Sequence, residues 1–588
     1  MPDTASWSHE RTVRLGPSEV WDLIWRPQGQ ARWLGPQARV DFDPQVRSVL
    51  ADEAGVWRTA RVLKVKGASA VTMEADAPAL WQTGGQTRII IRLAGDGDSG
   101  TVVTVEESGI PPERLADVER FWLGRLDRLS GLVSRVRARR RDVRQAVVVI
   151  HGIGEQQPGE TLSSLVSSGV LSREDGLQDM WVKPDWFSDS FELRRVTLEA
   201  NEERPTTDAF EFYWAHVTSD TTLRQVTSWM QRLLFRWPVP PPILPWWLLM
   251  WVLVVLGVGA SVAALFGVQL ADRVAYGSAL VAGAAALWQL LGEPLALNFI
   301  GDAARYLQPH PANIAHRESI RQAGVSLIEK LHASGRYDRV VLLGHSLGSV
   351  IAYDIVTHAW MRCNGEHRRP SKPKFTEIVA VEKALFDGTD PTTVQDLQHA
   401  AWRRLRANTQ PWLVTDLVTV GSPLTYADFL IGHDPQAFVQ AKSDRVLPTC
   451  PPVVEVEPKT THRRMTFDAP YPEPLSRGTR TFTQFHHAAP FAVTRWTNLY
   501  FTTQHLGVTG DLIGGPVARQ LGAWVRDVPL ASPARGFTHT WYWRKVKQGD
   551  AHRTALRAAL ALDARASLLL LLKEIPAFAL VERAHDRG

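Results

Sequence analysis

The chain has 588 residues, 45% hydrophobic and 22% charged, enough as a soft prior for roughly three or four domain-sized units with buried cores. A formal net charge of +5 and a pI near 9.2 form a diffuse excess, which gives no footing for nucleic acid as a partner. Two cysteines, Cys363 and Cys450, argue against a disulfide framework and a cysteine-based metal site, and fit a reducing, cytosol-facing location.

The first ten residues lack a basic segment followed by an apolar core, so no signal peptide is expected. Residues 1–134 read as a separate α+β domain. Residues 10–15 alternate like a strand, and residues 17–24 carry a helix-start signature followed by apolar residues at helical spacing. Alternating stretches at 57–64, 87–93 and 101–106 predict further strands. Residues 111–136 predict one long amphipathic helix, with Leu115, Val118, Trp122, Leu126, Leu129 and Val133 on one face. Short helices, a run of antiparallel strands and a long last helix suggest a sheet curved around that helix. On Ser18-Glu19-Val20-Trp21, Arg32-Trp33-Leu34-Gly35 and Gly100-Thr101-Val102-Val103-Thr104-Val105-Glu106-Glu107, the domain resembles the START-like, polyketide-cyclase superfamily, in particular modules similar to the Hsp90-ATPase activator family. The resemblance implies a helix-grip fold that either holds an apolar ligand between helix and sheet or serves as a ligand-free interaction module. No catalytic constellation is visible in it.

Residues 135–145 form a basic linker, with Arg135, Arg137, Arg139, Arg140, Arg141 and Arg144. A buried-strand run over 146–150 ends in His151-Gly152-Ile153, and residues 191–198 and 210–215 predict further strands. Leu223, Val226, Trp229, Met230, Leu233, Leu234 and Trp237 then recur at helical spacing, with Arg224, Arg232 and Arg236 on the polar side, a pattern suited to a membrane interface. After the proline-rich elbow at 238–242, residues 243–271 and 274–292 are uncharged apart from Asp272 and Arg273 between them. Each run approaches or exceeds the roughly 20 residues that span a bilayer core as helix. We therefore expect a two-helix transmembrane hairpin, inserted over 237–292. With two spans both flanking parts lie on one side, and Arg232, Arg236 and Arg305 favour the cytoplasmic side. The expectation is an integral membrane protein.

Residues 340–343 are β-branched and leucine-rich, long enough for one buried strand. Gly344-His345-Ser346-Leu347-Gly348 follows, and residues 349–357 start a helix. Strand, sharp turn and helix are the context in which G-x-S-x-G exposes a serine hydroxyl at a sheet edge. Residues 375–408 predict helices over that edge, 413–420 a buried strand closed by Gly421-Ser422-Pro423, and 435–490 a long loop region. Residues 496–501 predict another strand, Asp511 falls in the loop beyond it, and Phe537-Thr538-His539 precedes an aromatic cluster. The tail, 549–588, is helical.

On Gly344-His345-Ser346-Leu347-Gly348, the His-Gly loop and Gly421-Ser422-Pro423-Leu424, residues 146–548 resemble the α/β-hydrolase superfamily, nearest its lipase and esterase members. The resemblance implies a triad in the order serine, acid, histidine, and an oxyanion hole from the residue after the nucleophile plus a loop after an early strand. Ser346 is the nucleophile candidate. His539 is preferred as base because it follows the acid candidates near the end of the domain. His505 precedes the preferred acid. Asp511 is preferred as acid, with Asp428 the alternative, Asp416 inside a strand and Asp527 a turn residue. The backbone N–H groups of Ile153 and Leu347 are the candidate oxyanion donors, and His151 shapes its turn. The expected activity is a serine hydrolase cleaving an ester, of a lipid or acylated compound, without metal or cofactor. An amidase or thioesterase would use the same triad. The other class is a membrane-bound ligand-binding or signalling protein with the START-like module as sensor.

Overall fold

The computed structural model describes residues 4–52, 55–78, 81, 85–97, 100–153, 157–171, 180–184, 187, 194–215, 234–245, 247–248, 250–252, 254–255, 306–307, 311–364, 376–407, 410–431, 434–456, 463–472, 479–504, 509–546 and 549–584.

The first domain is an antiparallel sheet of six strands in the order β1-β6-β5-β4-β3-β2. The strands are β1 (Ala5–Val13), β2 (Ser48–Asp52), β3 (Gly55–Lys66), β4 (Ala70–Asp76), β5 (Gln86–Asp96) and β6 (Gly100–Ile110). Buried and half-buried residues alternate along β4 and β6, because successive side chains point to opposite faces. Helices α1 (Pro17–Trp25), α2 (Pro27–Trp33) and α3 (Leu115–Arg139) cover the inner face. The predicted stripe holds: Val118, Trp122, Leu126, Leu129 and Val133 of α3 are buried. Trp33 and Trp122 are fully enclosed, and Trp57 stacks on Phe121 with centroids 3.8 Å apart. An ion pair is sealed among them. Arg58 donates to Glu107 through Nη1 at 2.6 Å and Nη2 at 2.7 Å, and Trp122 Nε1 donates to Glu107 at 2.7 Å. Such a pair persists in a core only when each charge is matched and hydrogen-bonded.

The second domain is a mixed sheet of eight strands in the order β18-β17-β12-β11-β7-β10-β9-β8. These are β7 (Arg144–Ile150), β8 (Met180–Pro184), β9 (Arg194–Leu198), β10 (Thr206–Phe212), β11 (Arg339–His345), β12 (Val414–Val420), β17 (Arg495–Phe501) and β18 (Arg526–Leu530). From β10 to β18 neighbours run parallel, whereas β9 and β8 are antiparallel additions. Every residue of β11 and β12 is buried, which explains the apolar run over 340–343 and why Asp416 of β12 is paired with arginines: a parallel sheet is covered on both faces. One face meets α5 (Pro311–Ala333), α6 (Leu347–Asn364), α7 (Thr376–Ala384) and α8 (Pro391–Ala407), through Val340, Leu342, Ile328, Ile351 and Trp402. The other meets α4 (Glu160–Ser167) and α9 (Ala551–Leu560), through Val341, Leu343, Leu165 and Leu556. The expected loop region over 435–490 carries a helix, Pro435–Ser443, and two hairpins, β13 (Glu455–Val456) with β14 (Arg463–Arg464) and β15 (Thr466–Pro472) with β16 (Thr479–Phe485).

The two domains are joined by side chains as well as by the chain. Arg135, Arg137 and Arg139 of the basic run belong to α3, and Arg144 already opens β7. Arg139 pairs with Asp338 in full burial, and Arg140 with Glu19. Two last helices, α10 (Arg565–Glu574) and α11 (Ala577–Ala584), complete the chain. Helix α11 packs on α1 and α3 of the first domain, and Arg26 lies over the Phe578 ring at 3.9 Å.

Among the described residues, no helix is long and apolar enough to cross a membrane. This corrects the expected transmembrane hairpin over 237–292 as part of the fold, and with it the integral membrane localisation with soluble domains on the cytoplasmic side. A lack of charge is required of a membrane helix but does not by itself make one. Residues 256–305, and 216–233 with most of the amphipathic stretch, lie outside the described residues.

Candidate active site

Ser346 stands between the last residue of β11 and the first of α6, with φ of 53°. A non-glycine residue in the left-handed region is uncommon and carries strain. The surrounding backbone enforces it. Ser346 N–H donates to the Val420 carbonyl at 3.0 Å, and the Ser349 hydroxyl donates to the Ser346 carbonyl at 2.5 Å. Helix α6 crosses the end of β7 so closely that a Cβ on Gly348 would lie 2.3 Å from the carbonyl oxygens of Ile150 and His151. That contact is why this position of the motif has no side chain.

Leu347, as the first residue of α6, has an N–H without an intrahelical partner. The His-Gly loop approaches from β7: a Cβ on Gly152 would sit 2.9 Å from Ser346 Cβ and 3.0 Å from His345 Nδ1. Ile153 follows directly and is half-buried. His151 has both ring nitrogens engaged. Nδ1 is 2.8 Å from the Gly152 carbonyl, Nε2 accepts from Trp214 N–H at 3.3 Å, and the ring stacks on Trp214.

Asp511 and His539 come together because their loops are zipped by backbone. Gly510 N–H donates to the Gly536 carbonyl at 3.0 Å, and Thr538 N–H to the Gly510 carbonyl at 2.9 Å. Each functional residue stands one position past that ladder. His539 Nδ1 lies 2.9 and 3.0 Å from the two Asp511 oxygens. A carboxylate can only accept, so Nδ1 carries the proton. Nε2 of His539 is buried without a hydrogen-bond partner. Asp511 also accepts from Tyr542 Oη at 2.6 Å, Ile513 N–H at 2.9 Å and Gly514 N–H at 3.0 Å. Burial pushes its carboxyl up, but His539 and these donors outweigh burial and hold it at about 2, below its ordinary 3.8. The strand that precedes Gly421 presses against the same pair. A Cβ on Gly421, whose φ is +58°, would lie 2.8 Å from Asp511 Oδ2 and 3.0 Å from His539 Cε1.

The other candidates fall elsewhere. Asp428 accepts from Gln520 at 3.0 Å. Asp416 is buried under Arg339 and Arg495. Asp527 lies in β18 rather than in a turn, and binds Asn498 and the N–H groups of Val517 and Ala518. His505 is outside the described residues. Two further neighbours support the site, Tyr542 outside any motif and Ser422 within the Gly-Ser-Pro turn. Tyr542 bridges Asp511 to Phe501 N–H, which donates to its hydroxyl at 3.1 Å, and the aromatic run after His539 was its only signal. Ser422 lies 2.6 Å from Ser349 Oγ and so ties the Gly-Ser-Pro turn to the Ser346 turn.

Residues 14–134 match the family described as Activator of Hsp90 ATPase homolog 1-like protein. Among solved structures the chain is similar to protein MLL2253 from Mesorhizobium loti, at 17% identity over 22% of this chain and 98% of that one, with a TM-score of 0.21. It is similar to CalU16 from Micromonospora echinospora at 19% identity, over 23% and 80% of the two chains, with a TM-score of 0.20. It is also similar to the Aha1 dimer from Colwellia psychrerythraea at 15% identity, over 22% and 96%, with a TM-score of 0.19. No curated protein matches the chain. Residues 14–134 are thus a START-like helix-grip domain of the Activator of Hsp90 ATPase homolog 1-like type, and a second domain with a mixed sheet follows it.

Proposed function

We propose that the second domain is an α/β-hydrolase and that it works as a serine hydrolase on an ester of a lipid or other acylated compound. One conjunction carries the reading. A serine is held in left-handed conformation at the end of β11, and His345 just before it bonds the backbone of a histidine whose Nδ1 is committed to a buried carboxylate and whose Nε2 is uncommitted. Ser346 Oγ attacks the acyl carbonyl carbon while His539 Nε2 takes its proton, and Asp511 holds the tautomer and the imidazolium. The N–H groups of Ile153 and Leu347 receive the oxyanion, where losing one donor typically costs about 3 kcal/mol of barrier lowering. Collapse expels the alcohol, which takes the proton back from His539. Water, deprotonated by the same nitrogen, then attacks the acyl-enzyme, and the carboxylic acid leaves with Ser346 restored. The hydrogen bond between Ser346 and His539 is absent from the resting site, as is common before substrate draws the groups together. Amide or thioester substrates would follow the same steps.

A fluorophosphonate probe tests this. The intact protein is expected to label, and Ser346→Ala is expected not to. A folded wild-type protein that takes no label would refute the enzyme reading, and equal labelling of both proteins would remove Ser346 from it.

A further inference from the structure

His345 precedes the candidate nucleophile and is buried, 5% exposed, at the meeting point of three loops. Its ring lies 5.0 Å from that of His539, and it meets Trp543 edge-on at 4.9 Å and Tyr542 at 6.0 Å. Its Nε2 stands 3.0 Å from the backbone carbonyl oxygen of His539. A carbonyl only accepts, so Nε2 carries the hydrogen. Its Nδ1 is buried without a partner and faces Gly152, where an added Cβ would come within 3.0 Å. One imidazole therefore touches the serine turn through its own backbone, the histidine loop through a hydrogen bond, and the oxyanion loop through close contact.

We propose that His345 is a positioning residue that fixes the His539 loop against the Ser346 turn, through the hydrogen bond from its Nε2–H to the His539 carbonyl. The proposal rests on reading Ser346 as nucleophile and His539 as its base. Those two residues come from loops 193 positions apart, and Ser346 and His539 share no hydrogen bond in the resting site. Something must set their spacing, and the His345 tether is two residues long from Ser346 to the His539 backbone. The ring stays neutral in this role: burial, and then the charge of His539, push it down to about 3. The donor is therefore present across the pH range in which a serine hydrolase works. Trp543 and Tyr542 hold the ring in place, so its rotamer is set by packing rather than by the bond itself.

The test compares His345→Phe, which keeps an aromatic ring but loses the donor, with His345→Gln, which restores an N–H at about the position of Nε2. Hydrolysis of p-nitrophenyl butyrate, fluorophosphonate labelling rate and melting temperature are measured on the full chain. His345→Phe is expected to lower kcat about 10- to 100-fold, the effect of a small misplacement of reacting groups, with KM within about twofold. Labelling should slow in parallel, and His345→Gln should recover most of the loss. Wild-type kcat in His345→Phe would overturn the proposal. So would a His345→Gln as slow as His345→Phe when both melt like the wild type. If His345→Phe does not fold, His345→Asn takes its place, since its shorter amide does not reach the His539 carbonyl; it should be slower than His345→Gln, and the reverse order overturns the proposal. A wild type that takes no label fails the nucleophile reading, and His345 then has nothing to position. A wild type that labels while His345→Phe labels equally fast removes His345 alone.

Discussion

Four donors converge on Asp511: His539 Nδ1, Tyr542 Oη and the N–H groups of Ile513 and Gly514. Two of the four are backbone groups, at Gly514 with no room for a side chain, since a Cβ there would lie 2.6 Å from Asp511 Oδ2, and Tyr542 is a specific choice. Its hydroxyl gives one hydrogen to the carboxylate and accepts one from Phe501 N–H. Tyr542→Phe therefore removes a charge-assisted bond and leaves a buried N–H unpaired. We expect it to lower kcat on an ester about tenfold and to lower stability by about 1–3 kcal/mol, the usual cost of an unsatisfied buried donor. Steady-state kinetics and urea unfolding check the two effects separately. A variant with unchanged kcat and lowered stability would make Tyr542 a packing residue only. Ser346, Asp511 and His539 were legible as candidates because their chemistry limits them to few residue types in a known order. Tyr542 and His345 were not, because an aromatic ring or an intervening motif position has many uses, and only the folded neighbours select one.

Strands were read well where both faces are buried, since β7 and β11 carry unbroken apolar runs over 146–150 and 340–343 and β12 is rich in β-branched residues. Elements were read poorly where the signal was an absence. The stretch over 435–490 lacks periodicity because its helix is short and its hairpins are small, so few positions repeat. The uncharged stretch after residue 243 was read as spans because lack of charge is required of a membrane helix but is not sufficient for one. Helix α4 illustrates a link between elements. Its first turn rests on Glu211 of β10, which accepts from Leu162 N–H at 3.3 Å. Burial, the largest influence, raises the Glu211 carboxyl from 4.5 to about 7, against the hydrogen bonds from Leu162 and Thr161. A carboxyl whose folded value is raised contributes stability that is complete below its unfolded value and lost as pH rises through the folded one. Glu211→Gln cannot ionise and its amide oxygen can still accept. Relative to the wild type, its melting temperature is expected to climb as pH goes from 4.5 to about 7. A difference that stays constant from pH 4 to pH 9 in thermal melts would reject this account.

At the scale of the whole molecule, the START-like domain is built into the second domain and not merely tethered to it. Arg139, on the last turn of α3, is paired with Asp338 just ahead of β11, and Asp338 also accepts from Arg144 N–H at 2.9 Å. Arg139→Ala would leave a buried carboxylate short of its cation, a loss of about 3–5 kcal/mol where one partner of a buried pair is removed. Urea unfolding followed by tryptophan fluorescence reads this directly, and a loss below about 1 kcal/mol would place the pair in the class of surface ion pairs. Helix α11 adds a second clasp from the far end of the chain, so residues more than 500 positions apart share one surface.

By itself the sequence determined what local rules can determine: the alternation that makes the first sheet, the stripe that seats α3, the β-branched strands of the second sheet, and the strand-turn-helix that carries Ser346. Those follow from period, turn chemistry and burial within a few residues of each position. Only the tertiary structure decided that Asp511 rather than Asp428 meets His539, that Tyr542 bonds Asp511 and His345 the His539 carbonyl, and that the basic run at 135–145 is partly helix and partly an inter-domain anchor. Each of these is a meeting of loops or elements far apart in the chain. Backbone ladders such as that between Gly510 and Thr538 bring them together, and such ladders use N–H and C=O groups that every residue but proline has. Their mark in the sequence is slight, here the positive-φ glycines Gly510 and Gly536, which do not say which loops will meet.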